Sequence, residues 1–122
     1  MWLATDVNIH TNPKIIALAD ALGLDIDTTV GKIQRLWAWA VQSENESGDV
    51  SHLPAKEVAA IMRWNKKPEV LMSSLVGHGF IDVVGDEKFI HDWQELNGKM
   101  MSKKRYDRER KFHGNSEENP RN

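Results

Sequence analysis

The sequence predicts a mainly α domain with a small β-hairpin, an α+β fold. Three observations predict it. Apolar residues recur at helical spacing in segments that open on a proline or a capping side chain. The run "FIDVVGDEKFIHDW" reads as two short strands around Gly85-Asp86. The 122 residues, 40% of them hydrophobic, are about enough for one packed core and a tail.

In "TNPKIIALADALGL", Asn12 stands at a cap position and Pro13 at the first helical one, where its missing N–H costs nothing. Ile15, Leu18, Ala19 and Leu22 then form one stripe, and Gly23 can close the helix. A second helix is expected after Asp27 as its N-cap, with Val30, Ile33, Trp37, Ala40 and Val41 inward and Lys32 and Arg35 outside the stripe. "SENESGD" is a polar turn, and "VSHL" (50–53) reads as a short strand. Pro54 opens a third helix with Ala55, Val58, Ala59 and Met62 on one face. "RWNKKP" is a short connection to a fourth helix that starts at Pro68 and runs out at Gly77 or Gly79. After the hairpin the pattern turns helical again, with Trp93, Leu96 and Met100 on one face. The expected division is a domain over residues 1–93, a basic helix over 94–112 and a disordered tail over 113–122, where hydrophobes are scarce.

Composition narrows the classes. No cysteine is present, which removes disulfides, thiolate zinc sites and a thiol nucleophile, and fits a cytoplasmic setting. No apolar run reaches the ~18 residues of a membrane span. The net charge of −2 hides an asymmetry: residues 1–95 hold 8 Lys/Arg against 14 Asp/Glu, and residues 96–122 hold 8 against 4. An acidic body thus carries a basic arm.

The order helix, strand, helix, tight turn, helix, hairpin is that of a winged helix-turn-helix domain, although periodicity alone yields only a small helical domain with a hairpin. "WNKKPEVLMSSLVGHGFIDVV" resembles the second half of a helix-turn-helix followed by its wing. "FIHDWQELNGKMMSKKRYDRERK" resembles the segment after this wing in phage replisome organisers and DnaD-like replication-initiation proteins, where a strand ends in a His/Asn-Asp/Asn-Trp triplet and passes into a Lys/Arg-rich helix. The opening Trp2, "NPKIIALADALG", "RLWAWAVQ" and "GDVSHLPAKEVA" fit the same pattern, so the resemblance spans about residues 1–112. It implies DNA as partner, pairing of N-terminal winged domains into dimers or oligomers, and a bacterial or prophage-encoded cytoplasmic protein. Contact with replication proteins, a helicase loader among them, is implied for the further domain in which family members typically continue.

If the fourth helix turns Leu71, Ser74 and Leu75 inward, its outer face carries Glu69, Val70, Ser73 and Gly77. That face lacks the Arg, Lys, Asn or Gln that read base edges in the major groove. Candidate phosphate contacts are Lys66 and Lys67 at the helix start, Ser73 on its face and Lys88 in the hairpin, where Asp86 and Glu87 would repel a DNA backbone. A solvated turn accounts for Lys66 and Lys67 equally well. The stretch "KMMSKKRYDRERK" adds Lys99, Lys103, Lys104, Arg105, Arg108, Arg110 and Lys111 against Asp107 and Glu109. Its i,i+4 opposite pairs suit a salt-laced solvated helix, but its excess of positive charge favours contact with nucleic acid.

Leu36 and Trp39 fall on a face beside the main stripe of the second helix. With Trp2 they are the candidate self-association surface. The remaining tryptophans read as core, and Trp93 as the lock that seats the C-terminal helix. Five scattered histidines show no metal-ligand spacing, no phosphate loop or nucleophile elbow occurs, and no cofactor or metal is expected. His91 and Asp92 are not expected to form a dyad, since neighbours at a strand end point apart. The expected function is DNA binding, largely without sequence specificity, at replication initiation. A protein-interaction or dimerisation module and a transcriptional regulator of the same fold are the alternatives, and an enzyme is not expected.

Overall fold

The computed structural model describes residues 5–93 and Glu95. A short 3-10 turn (Ile9–Thr11) leads into four helices and a hairpin: α1 (Pro13–Leu22), α2 (Ile26–Gln42), α3 (Ala55–Met62), α4 (Pro68–Gly77), β1 (Ile81–Val84) and β2 (Glu87–Ile90). The chain is thus mainly helical with a small antiparallel hairpin. None of the described helices is long and apolar enough to cross a membrane.

Local chemistry sets most boundaries where the sequence predicts them. Asn12 Oδ1 accepts the Lys14 amide at 2.8 Å ahead of Pro13, and Gly23 closes α1 at φ 69°. For α2 the expected cap is displaced: Asp25, not Asp27, is the N-cap. Its carboxylate accepts the Thr28 amide at 2.7 Å and the Thr28 hydroxyl at 3.0 Å. Two threonines three and four residues on supply Asp25 with donors, and Asp27 instead contributes a negative charge to the first turn, where the helix dipole favours it.

Helix α2 packs against both α1 and α3, α3 against α4, and α4 against α1 and β1. This enclosure corrects the reading of α2. Its buried face is wider than one stripe and takes in Leu36, which is 1% exposed, whereas Trp37 is only half-buried. The core gathers Ile15, Leu18, Ile33, Met62, Leu71 and Leu75 under the hairpin residues Ile81 and Ile90.

The hairpin pairs Ile81 with Ile90 and Val84 with Glu87 about a turn in which Gly85 takes φ 62°. The expected "VSHL" strand contracts to a single bridge centred one residue earlier, Asp49 with Phe89. The Val50 amide reaches the Lys88 carbonyl and the Ile90 amide the Gly48 carbonyl, both at 2.8 Å. The chain cannot extend further because Ser51 folds onto Asp49 at 2.8 Å and Leu53 onto Val50 at 3.0 Å, closing a turn. Trp93 is buried against this corner. Its indole N–H donates to the Asn45 carbonyl at 2.7 Å, and Gly48, at φ 76°, leaves room for the ring.

Candidate nucleic-acid interface

The connection between α3 and α4 is shaped by what ends α3. Arg63 caps it in the left-handed conformation, φ 60°, a role usually left to glycine because a Cβ crowds the backbone there. The chain then reverses, and the Trp64 amide bonds back to the Ala59 carbonyl at 2.8 Å. The Trp64 ring is buried, and its indole N–H donates to the Lys67 carbonyl at 2.9 Å. One tryptophan therefore pins residues 64–67 from inside and leaves Asn65, Lys66 and Lys67 exposed. The Lys66 ammonium lies 5.8 Å from the Trp64 ring centroid. Among the described residues no side chain caps α4; Pro68 has no N–H at its start, and the Val70 amide donates to the Lys67 carbonyl at 3.1 Å.

A second basic element joins this corner from α2. The Lys32 ammonium donates to the Arg63 carbonyl at 2.7 Å and to the Met62 carbonyl at 3.3 Å, placing a cation on the C-terminus of α3, where the helix dipole favours it. Burial lowers the Lys32 pKa below its ordinary value, and the positive charges of Arg35 and Arg63 lower it further. Arg35 and Arg63 are exposed. Among the described residues every ion pair within 4.0 Å uses a histidine, and no Lys or Arg has a carboxylate partner. The cations of this corner are thus uncompensated by any salt bridge. Lys14 is different: its ammonium is committed to the Gly79 carbonyl at 2.9 Å and lies 5.1 Å from the Phe80 ring centroid, tying α1 to the end of α4.

Of the residues that the sequence singled out, Lys66, Lys67 and Ser73 come together on the connection and α4. Glu69, Val70, Ser73 and Gly77 form the exposed side of that helix, as the pattern predicts. The Ser73 hydroxyl donates to the Val70 carbonyl of its own helix at 3.2 Å. Lys88 belongs to the hairpin, where its amide and carbonyl are engaged by Ser51 and Val50 and its side chain is half-buried. Lys99, Lys103, Lys104, Arg105, Arg108, Arg110 and Lys111 lie outside the described residues, as does Trp2. Leu36 leaves the self-association surface because it is core, and Trp39 is half-buried with its ring 6.5 Å from that of His52.

His91 departs from expectation. Its Nδ1 meets both Asp82 oxygens, at 2.9 and 3.0 Å, and its Nε2 lies 3.3 Å from Asp92 Oδ2. Neighbours at a strand end point apart only while the backbone stays extended, and Asp92 turns at φ 54°. Asp82 pairs with Phe89, two residues before His91, so the two side chains share a face of the hairpin. The carboxylates lie on opposite ring nitrogens, and among the described residues no three His, Asp or Glu converge as metal ligands. A cleft of about 390 Å³ lies beside this cluster, walled by Ile15, Trp37, Phe80 and Trp93 with the committed Lys14 at its edge.

Sequence reading places Lys32 and Arg35 outside the α2 stripe but singles out neither them nor Arg63 as candidate contacts. Their i,i+3 spacing puts Lys32 and Arg35 on the polar side of α2, and the lack of a glycine after Met62 hints at a strained cap. That the two meet is a matter of helix packing. No family model matches this chain, and no curated protein or solved structure shows significant similarity to it.

Proposed function

We propose that this chain is a winged helix-turn-helix module that binds DNA mainly through its phosphate backbone, with α3 and α4 as the helix-turn-helix, the hairpin as the wing and the basic stretch 99–111 as a second contact. The observation that carries this reading is the pair Lys66 and Lys67, exposed at the start of α4 on a connection pinned by Trp64 and, among the described residues, without a carboxylate partner. Ammonium groups at the positive end of a helix dipole suit phosphate oxygens. A role at replication initiation rests on the resemblance of the sequence to phage replisome organisers and DnaD-like proteins, as does a host-cell or prophage setting. The outer side of α4 offers no bidentate base reader, which disfavours a sequence-specific transcriptional regulator. Binding, and not catalysis, is the activity proposed.

A protein-interaction role is the second reading, and the hairpin favours it. Val83 and Val84 are 52% and 62% exposed, and among the described residues no strand pairs with the outer edge of β1.

Fluorescence anisotropy on random-sequence duplex and single-stranded DNA, at low and near-physiological salt, tests the first reading. The full chain is expected to bind with a log–log salt slope of about −0.9 per phosphate contact. A Lys66→Gln, Lys67→Gln chain is expected to bind more weakly with a shallower slope. Replacing Lys103, Lys104, Arg105 and Arg108 by Gln is expected to do the same. Failure of the unaltered chain to bind either DNA at low salt sinks the DNA reading and turns attention to the hairpin edge.

A further inference from the structure

Within the DNA-binding reading, on which the inference rests, we propose that the duplex phosphate contact is built by two helices: Arg35 of α2 and Arg63 at the end of α3 grip the backbone together, extending the edge begun by Lys66 and Lys67. The occupant is the phosphodiester chain of double-stranded DNA.

Three observations converge on this corner. Its positive charges stand uncompensated. Lys32 donates to the Arg63 carbonyl at 2.7 Å and feels the charges of both Arg35 and Arg63, yet no carboxylate pairs with any of the three among the described residues. Like charges gathered without counter-charge repel, and a polyanion relieves that repulsion.

Arg63 also occupies a backbone position that disfavours it. At φ 60° a glycine would sit without strain, but the position carries a guanidinium instead. A strained residue whose exposed charge has no carboxylate partner among the described residues points to a use for the charge, and a planar guanidinium suits two phosphate oxygens at once.

The corner is rigid as well. Lys32 spends its ammonium on the Met62 and Arg63 carbonyls and fixes α2 against the end of α3. Buried Trp64 fixes the following residues, so the backbone that carries Arg63, Lys66 and Lys67 is held in place before DNA arrives. Cations carried on a fixed backbone suit the regular phosphates of a duplex better than a flexible single strand. On the hairpin, Asp86 and Glu87 are exposed and negative, so the footprint is expected to avoid that tip.

The test uses the full chain with Arg35→Gln and Arg63→Gly as separate variants and Lys56→Gln as a charge-matched control at the opposite end of α3. Binding to random duplex is measured from 50 to 200 mM salt, with single-stranded DNA of equal length as the second probe. Arg35→Gln and Arg63→Gly are each expected to flatten the duplex salt slope by about 0.9, with Lys56→Gln leaving it unchanged. Glycine suits the left-handed position, so Arg63→Gly is expected to melt no lower than the unaltered chain, which separates loss of charge from loss of fold. If the unaltered chain binds duplex and both variants keep its slope, this corner is not the contact and the inference falls while the DNA reading stands. Equal losses on single-stranded DNA overturn the assignment to duplex. If the unaltered chain does not bind DNA at low salt, the reading beneath the inference fails with it.

Discussion

At the scale of single residues, backbone conformation decides which side chains this fold tolerates. Arg63 and Gly48 both sit at positive φ, but for different reasons. Arg63 is exposed, and its left-handed backbone is a local strain of about 1–2 kcal/mol. Gly48 is buried, and a Cβ there would lie 2.7 Å from Trp93 Cβ. Gly48→Ala therefore combines a disfavoured φ with a clash against a ring whose indole N–H is already anchored to Asn45. The expected destabilisation is about 2–4 kcal/mol, read as a lowered urea midpoint. A midpoint unchanged by this substitution would show that Trp93 is not seated on the 45–48 turn. The turn and the tryptophan are both visible in the sequence, but nothing local says that one rests on the other, because they are 45 positions apart and meet only through the hairpin.

At the scale of elements, capping chemistry sets where helices begin, and one of these caps makes stability depend on acid. The Thr28 amide and hydroxyl hold the Asp25 carboxyl below its ordinary value of 3.8, and the Ser51 hydroxyl and amide do the same for Asp49. Both groups have folded pKa values depressed below their unfolded ones. Their contribution is therefore present above the unfolded value near 3.8 and is lost as pH falls through the lower folded values. Asp25→Ala is expected to lower the urea midpoint at pH 7, and the gap from the unaltered chain is expected to narrow at pH 2–3. A gap of constant size across that range would show that the carboxylate charge does not support α2. Here the sequence was legible to within one turn. It indicated an acidic cap before the apolar stripe, but two aspartates competed, and the donors on Thr28 and Thr29 favoured the earlier one. Leu36 was misread for a different reason. A single apolar stripe suits a helix with one neighbour, and α2 has α1 on one side and α3 on the other.

At the scale of the whole molecule, charge is distributed against the fold's average. Residues 1–95 are acidic in sum, yet Lys32, Arg35, Arg63, Lys66 and Lys67 collect at the α2–α3–α4 corner, and Asp86 and Glu87 mark the hairpin tip. Under the proposed DNA reading the tip acts as a brake on binding. A unit charge at ~10 Å from a phosphate in water costs about 0.4 kcal/mol, roughly a factor of two. Asp86→Asn with Glu87→Gln is accordingly expected to tighten duplex binding about two- to fourfold at low salt, with the gain fading as salt rises. Anisotropy titrations at two salt concentrations measure it, and a loss of affinity would show that the hairpin carboxylates do not oppose DNA.

By itself the sequence determined the mainly helical class, the α1 cap at Asn12-Pro13, the start of α4 at Pro68, the hairpin about Gly85-Asp86 and the exposed side of α4. These features follow from short-range rules: periodicity, fixed proline φ, capping donors and glycine at positive φ. Only the tertiary structure decided that Leu36 is core, that His91 lies between Asp82 and Asp92, and that Lys32 reaches across to cap α3 beside Arg63. Each of those depends on which helix faces which, or on a single left-handed turn. Burial and electrostatics act through space between residues far apart in the chain, and no local pattern encodes that meeting.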